Sequence, residues 1–363
     1  MKEKNEYPSY LIKNIGTAKK LKKIGFDIPC NFFLPLKMYG DFDIKELDFD
    51  FKAENYNNSY DYLSIPTYVE VLEWFRSKGY DVKFLYGGDS YFDNMKDFFT
   101  GNGYEIVDSK SFSPQEVTFS NIWGVCDEDM ANKAIKVMNE QAKTGKPFFN
   151  HWMTVSNHRP FTYPDGKIDI PPTLKKRIGG VKYTDYALKH FFELAKQQEW
   201  YKNTLFVIVA DHCASSAGST ELPLDGYRIP CFIYADFITP KKVDTLVSQI
   251  DVMPTVLGLL NFEYTSKFIG QDVFSGHYTP RAYIATYQDL GYLSPTHLTI
   301  VSPLNKIRQY QLLPEAEQPA KDYPLFYEQQ AQTPVGQDVK ECISAYQATS
   351  HWLKKQQLNA VKK

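Results

Sequence analysis

Long apolar runs are the first thing this chain lacks. Nothing in its 363 residues approaches the roughly 18 consecutive apolar residues of a spanning helix, so no membrane span is expected. The opening Met1-Lys-Glu-Lys-Asn-Glu-Tyr7 carries charge with no apolar stretch behind it and does not read as a signal peptide. A soluble chain without an export address of its own is the expectation. Cysteine is sparse. Cys30, Cys126, Cys213, Cys231 and Cys342 are widely spaced, odd in number and form no C-x-x-C pair, which argues against a disulfide scaffold and a zinc ribbon. Cys213 and Cys231 flank apolar segments and are expected as small buried residues. An excess of one charge is lacking too: a net charge of −2 supplies no general electrostatic case for nucleic acid or an anionic membrane. Tyr86-Gly87-Gly88-Asp89 lacks the Gly-Lys-Ser/Thr ending of a phosphate loop, and there is no internal repeat.

What is present is an ordinary globular composition, 43% hydrophobic and 15% aromatic, long enough for one large α/β domain or two smaller ones. From about Thr67, strand-like apolar runs alternate with amphipathic helical ones, the pattern of a mainly parallel sheet sandwiched by helices. Helices are predicted over residues 67–78, 130–142, 183–198 and 251–260, with Gly79 closing the first and Asp251 capping the last. Strands are predicted over residues 82–86, 147–155, 205–210 and 229–235. Beyond Gly270 the texture changes. Residues 281–287, 298–301 and 308–313 read as short antiparallel strands, and 339–356 as a closing helix. The expected division is an N-terminal segment 1–64 outside this rhythm, an α/β core 65–275 and a C-terminal unit 276–363.

The run Leu205-Phe-Val-Ile-Val-Ala-Asp211-His212 stops abruptly on an acid and an imidazole. Read as a strand buried on both faces of a parallel sheet, it delivers both side chains to the carboxyl end, where ligands sit in open α/β sheets. Both residue types bind divalent metals. The dipeptide by itself is common; its place at a strand end favours half of a metal site whose other half is not evident. His158 follows another predicted strand in Ser156-Asn157-His158-Arg159-Pro160. It can donate to an anionic substrate oxygen, with Arg159 beside it able to hold phosphate through two bonds. On spacing alone, a loop histidine satisfied by backbone is the simpler account. Trp123-Gly124-Val125-Cys126-Asp127 offers an aromatic wall, a turn and an acid that suit a polyol headgroup, although a helix start explains Asp127 and Asp129 equally well. Asp251-Val-Met-Pro-Thr255 reads as a capped helix start. The other histidines show no ligand spacing.

Several segments occur in the order of one family. They are Ser77-Lys-Gly-Tyr-Asp-Val-Lys-Phe-Leu-Tyr-Gly-Gly-Asp89, Trp123-Gly124, Ser156-Asn-His-Arg-Pro-Phe161, Val181-Lys-Tyr-Thr-Asp-Tyr-Ala187, Ala210-Asp-His212, Asp251-Val-Met-Pro-Thr255 and Gly270-Gln-Asp272. Together they resemble the lipoteichoic acid synthase and phosphoglycerol transferase group of the alkaline phosphatase/sulfatase superfamily, over about Thr67 to Leu353. The resemblance implies an alkaline phosphatase-like α/β fold and an extracytoplasmic enzyme tethered by membrane helices ahead of the domain. Such enzymes move phosphoglycerol from a lipid onto a glycan or polymer through a phosphothreonine. It further implies that Asp211 and His212 ligate a manganese-like divalent metal, that His158 contacts the substrate phosphate, and that Trp123 and Asp127 lie near the glycerol pocket.

Two family features have no match in residues 1–64: the acidic metal ligand of the first strand and the nucleophilic Thr. Thr67 sits at an apparent helix start and is not taken as the nucleophile, so none is assigned. No further His follows Asp211-His212 closely. The expectation is a phosphoglycerol transferase-like chain in which covalent transfer lacks its first step, whether as a fragment, a frame-shifted product or a degenerate enzyme. Divalent binding should be weak and should strengthen as pH rises through the histidine range, because a ligating imidazole is neutral. The alternative is a non-catalytic module that binds phosphate-bearing glycan or lipid headgroups through His158, Arg159 and the Asp211 region. A true sulfatase is disfavoured, since no C/S-x-P-x-R segment occurs.

Overall fold

A computed structural model describes residues 74–213, 222–264, 266, 269–286, 289–304, 306–312, 327–330 and 336–354. The expected segment 1–64 and most of the predicted 67–78 helix lie outside them; residues 74–77 are helical. The first strand, β1 (Asp81–Tyr86), is the centre of a parallel three-stranded sheet, with β2 (Glu105–Val107) on one side and β5 (Phe148–Met153) on the other. Alternation along β1 decides the layers. Val82, Phe84 and Tyr86 face one core with Met95 and Phe99 of α1 (Met95–Gly101) and with Val252, Met253, Val256 and Leu257 of α4 (Val252–Leu259). Leu85 faces the other, with Met130, Ala134 and Met138 of α2 (Asp127–Lys143) and Phe191 and Ala195 of α3 (Arg177–Ala195). Aromatic stacking carries much of the first core: Phe84 lies on Phe99 at 3.8 Å between ring centroids, and Phe75 on Phe149 at 4.5 Å.

The strand ahead of Asp211 is β6 (Phe206–Val209). Leu205, Val207 and Val209 join the first core and Phe206 the second, so β6 occupies the same layer as β1 and β5. Its pairing corrects the expectation. Among the described residues its ladder is antiparallel, to β7 (Cys231–Tyr234), and not part of the parallel sheet. An apolar run reports burial on both faces, which helices on either side supply whatever the direction of the neighbouring strand. The exposed β7 also corrects the cysteines: Cys231 is exposed and Cys213 half-buried, while Cys126 and Cys342 are the buried ones.

Helix α3 starts six residues earlier than predicted, at Arg177. Gly179-Gly180 weakens a helix reading from sequence. Here the pair is needed, because a Cβ at Gly180 would press on Ser156 O at 3.1 Å and Asn157 Cα at 3.3 Å, and one at Gly179 would collide with the Tyr163 hydroxyl.

Beyond the core, β8 (Ala282–Ala285), β9 (Leu290–Leu293), β10 (His297–Ser302), β11 (Lys306–Leu312) and β12 (Tyr327–Gln330) form an antiparallel meander. Helix α5 (Gly336–Lys354) closes it, packing Cys342, Ala345 and Tyr346 on Leu290, Tyr292 and Val301. A buried ion pair joins this unit to the core. The Arg281 guanidinium donates to both Asp251 oxygens at 2.6 and 2.8 Å, and Asp251 also accepts from Ser248 N, Gln271 N and the Tyr278 hydroxyl. Asp251-Val-Met-Pro-Thr255 is thus the structural joint of the molecule.

Candidate functional site

Two glycine positions build the first locus. The turn after β1 at Gly87-Gly88 lies backbone to backbone against the hairpin of β3 (Ser120–Asn121) and β4 (Gly124–Val125), with Val125 N donating to Gly87 O at 2.8 Å. A Cβ on Gly88 would stand 2.5 Å from Trp123 O, and Gly124 adopts φ 126°. The hairpin tip therefore has one position, and it carries Trp123. The indole packs between Phe92, edge-on at 5.3 Å, and the His158 ring at 4.1 Å. Its Nε1 donates to Arg159 O.

His158 and Arg159 are exposed on the loop after β5. His158 Nδ1 lies 3.2 Å from Arg159 O. A carbonyl only accepts, so Nδ1 carries the proton and Nε2 is left for a ligand. Beneath the loop, Asp127 is 1% exposed. Its carboxylate accepts from Val155 N at 2.7 Å, Ser156 N at 3.2 Å and Thr184 Oγ1 at 2.8 Å, while its own N–H donates to Ser156 Oγ at 3.0 Å. Burial pushes its pKa up, against the downward pull of these donors. Asp127 clamps the His158 loop to the start of α2 and to Thr184 within α3. Asp129 holds the backbone of Thr118 and Phe119 in the same way.

The second locus follows β6. His212 Nδ1 donates to Cys213 O at 2.6 Å, which leaves Nε2 facing Asp211 Oδ2 at 3.4 Å. Gln249 donates to the carbonyls of Ala210 and Asp211, and Cys213 Sγ to Arg228 O, so both ends of the turn are held. Tetrahedral ligands at about 2.0–2.1 Å from an ion lie about 3.3 Å apart, so this pair has the spacing of two metal ligands. Among the described residues no group of three or more His, Cys, Asp or Glu completes a site.

The structure thus brings Trp123, His158 and Arg159 together, with Asp127 as their support, and sets Asp211-His212 just beyond the end of β6. Sequence reasoning assigned no role to Phe92, Thr184 or Gln249, although Thr184 lies in one of the segments that carry the resemblance. Their signal was weak, since ring packing and long-range hydrogen bonds leave no local pattern.

A sequence model described as Sulfatase matches residues 51–262. The chain belongs to the sulfatase family. A solved protein of the alkaline phosphatase superfamily from Vibrio parahaemolyticus is 33% identical, with a TM-score of 0.68 over 80% of this chain and 68% of that one. The lipoteichoic acid synthase-like YvgJ of Bacillus subtilis is 29% identical over 52% of this chain and 34% of its own length. Phosphoglycerol transferase I of Xanthomonas axonopodis is 23% identical over 66% of this chain and 36% of its own. The chain spans about a third of the length of these curated relatives. Its parallel sheet between helices, followed by an antiparallel unit, is the expected alkaline phosphatase-like architecture.

Proposed function

We propose that this sulfatase-family chain handles phosphoglycerol groups carried on a lipid or glycan, at the Trp123–His158–Arg159 locus. The observation that carries the reading is the exposed imidazole held 4.1 Å from the Trp123 ring, with Nδ1 committed to backbone. Glycerol carbons have an apolar wall in the indole, and phosphate oxygens have a donor in the Arg159 fork, with Nε2 of His158 facing the same site. Asp127 fixes that loop without touching substrate. Asp211 and His212 would hold a divalent ion, manganese in this proposal, and such an ion supplies Lewis-acid stabilisation of phosphoryl oxygens.

A second reading, headgroup binding without turnover, is favoured by one observation: among the described residues no group of three or more His, Cys, Asp or Glu gathers around Asp211 and His212. No residue is assigned as nucleophile in either reading. Titration calorimetry with sn-glycerol-phosphate tests what they share. Trp123→Ala and His158→Ala should each weaken binding about tenfold, and wild-type affinity in both would refute the site. Manganese binding should be weak in wild type and lost in Asp211→Ala. Manganese-dependent cleavage of a glycerophosphate ester, abolished in Asp211→Ala, would decide for transfer over binding alone.

A further inference from the structure

The stretch Pro171-Pro-Thr-Leu-Lys-Lys-Arg-Ile-Gly-Gly-Val-Lys182 contains four cations and no acid, in a chain whose net charge is −2. It forms a single turn over Pro172–Leu174 and the opening of α3. Leu174 is 52% exposed, Ile178 66% and Val181 53%; Ile178 and Val181, three residues apart in α3, share its outer side, and Leu174 ends the turn that precedes it. Lys175, Lys176, Arg177 and Lys182 are exposed around them. Lys182 pairs with Asp169, and Arg177 lies over the Phe161 ring at 4.9 Å; Lys175 and Lys176 enter no ion pair among the described residues.

Isolated exposed apolar residues need no explanation, but a pair on one helix face, with a third in the preceding turn and four cations in the same stretch, does. Cations interleaved with branched apolar side chains are the chemistry of a surface that lies in a bilayer interface. The apolar groups enter the acyl boundary while the cations meet lipid phosphates. The inner side of the same turns supplies the second argument. Gly179, Gly180 and Tyr183 are buried, and Gly180 sits against the backbone of Ser156 and Asn157, next to His158.

We propose that residues 174–182 are a docking surface for an anionic bilayer, which sets the chain on the membrane with its His158 loop alongside the lipid headgroups. That this orientation serves catalysis or headgroup capture rests on the function proposed above. Docking itself does not, so it is measured without turnover.

The experiment is flotation of the full chain with vesicles of phosphatidylglycerol and phosphatidylcholine, and with vesicles of phosphatidylcholine alone. Wild type is compared with Lys175→Glu/Lys176→Glu and with Ile178→Ser/Val181→Ser. The wild-type chain should partition into anionic vesicles and only weakly into neutral ones. The charge variant should bind at least about tenfold more weakly, and the apolar variant at least about fivefold. Both variants should retain wild-type circular dichroism and sn-glycerol-phosphate affinity, since they change outward side chains only. Absence of wild-type binding at about 0.1 M salt, equal binding to neutral vesicles, or equal binding by the variants would overturn the proposal. So would sedimentation showing a wild-type dimer that Ile178→Ser/Val181→Ser dissociates, because the patch would then face a second copy of the chain.

Discussion

His151 makes the stability of this domain depend on acid in a way that can be isolated. It lies on β5, 2% exposed, with its ring edge-on to Phe84 and Phe99 at 5.4 Å from each, and Nε2 has no hydrogen-bond partner among the described residues. Charging it there means placing an imidazolium in an aromatic core, and desolvation lowers its pKa from 6.5 to about 3. A lowered pKa in the folded state fixes the sign. Above pH 6.5 neither state binds the proton and the contribution is fully present. Below it the unfolded chain takes up a proton that folded β5 refuses until about pH 3, and stability drains away across that window. At pH 4.5, two units below the unfolded value, the loss is about 2.7 kcal/mol at 1.36 kcal/mol per unit. Replacing His151 by Leu removes the titration while keeping an apolar side chain. Between pH 7.5 and 4.5 wild type should therefore lose about 2.7 kcal/mol more than His151→Leu. In urea unfolding this is a relative midpoint shift of about 1 M for an m value near 2.5 kcal/mol/M. All other carboxylates and histidines act in both proteins, so comparing slopes cancels them. Parallel pH curves for the two proteins would refute the reasoning, whatever their absolute stabilities.

Two further substitutions probe the supports of the fold and site. Asp127→Asn turns an acceptor into a donor facing Ser156 N and the Thr184 hydroxyl, and should cost about 1–3 kcal/mol in urea unfolding. It should also weaken sn-glycerol-phosphate binding through the displaced His158 loop; unchanged stability together with unchanged affinity would exclude a clamp. Asp251→Ala strands the buried Arg281 charge and two backbone donors, an expected loss of about 3–5 kcal/mol by the same assay. Adding Arg281→Met should restore part of it, and a single-variant cost below about 1 kcal/mol would show that the joint does not hold the two units together.

Much of the layout follows from the sequence alone. The apolar run of β1 and the helical spacing of α2 are set by which side chains avoid water, and that is a property of the local chain. The family resemblance rests on the same footing, because its segments are short and contiguous: Trp123-Gly124, Ser156-Asn-His158 and Asp211-His212. Direction and partnership belong to the tertiary structure. The apolar run of β6 looks the same to either kind of neighbour, so only the fold shows that it pairs antiparallel with β7. Gly179-Gly180 argues locally against helix, yet α3 runs through it, because close approach to Ser156 and Tyr163 outweighs about 1 kcal/mol of propensity per glycine. Asp127 shows the difference most directly. As a residue type near an aromatic it suits a polyol site, but three donors from β5's loop and α3 enclose its carboxylate. Sequence determines which side chains are available for chemistry; burial and hydrogen bonding between distant segments decide which of them remain free to perform it.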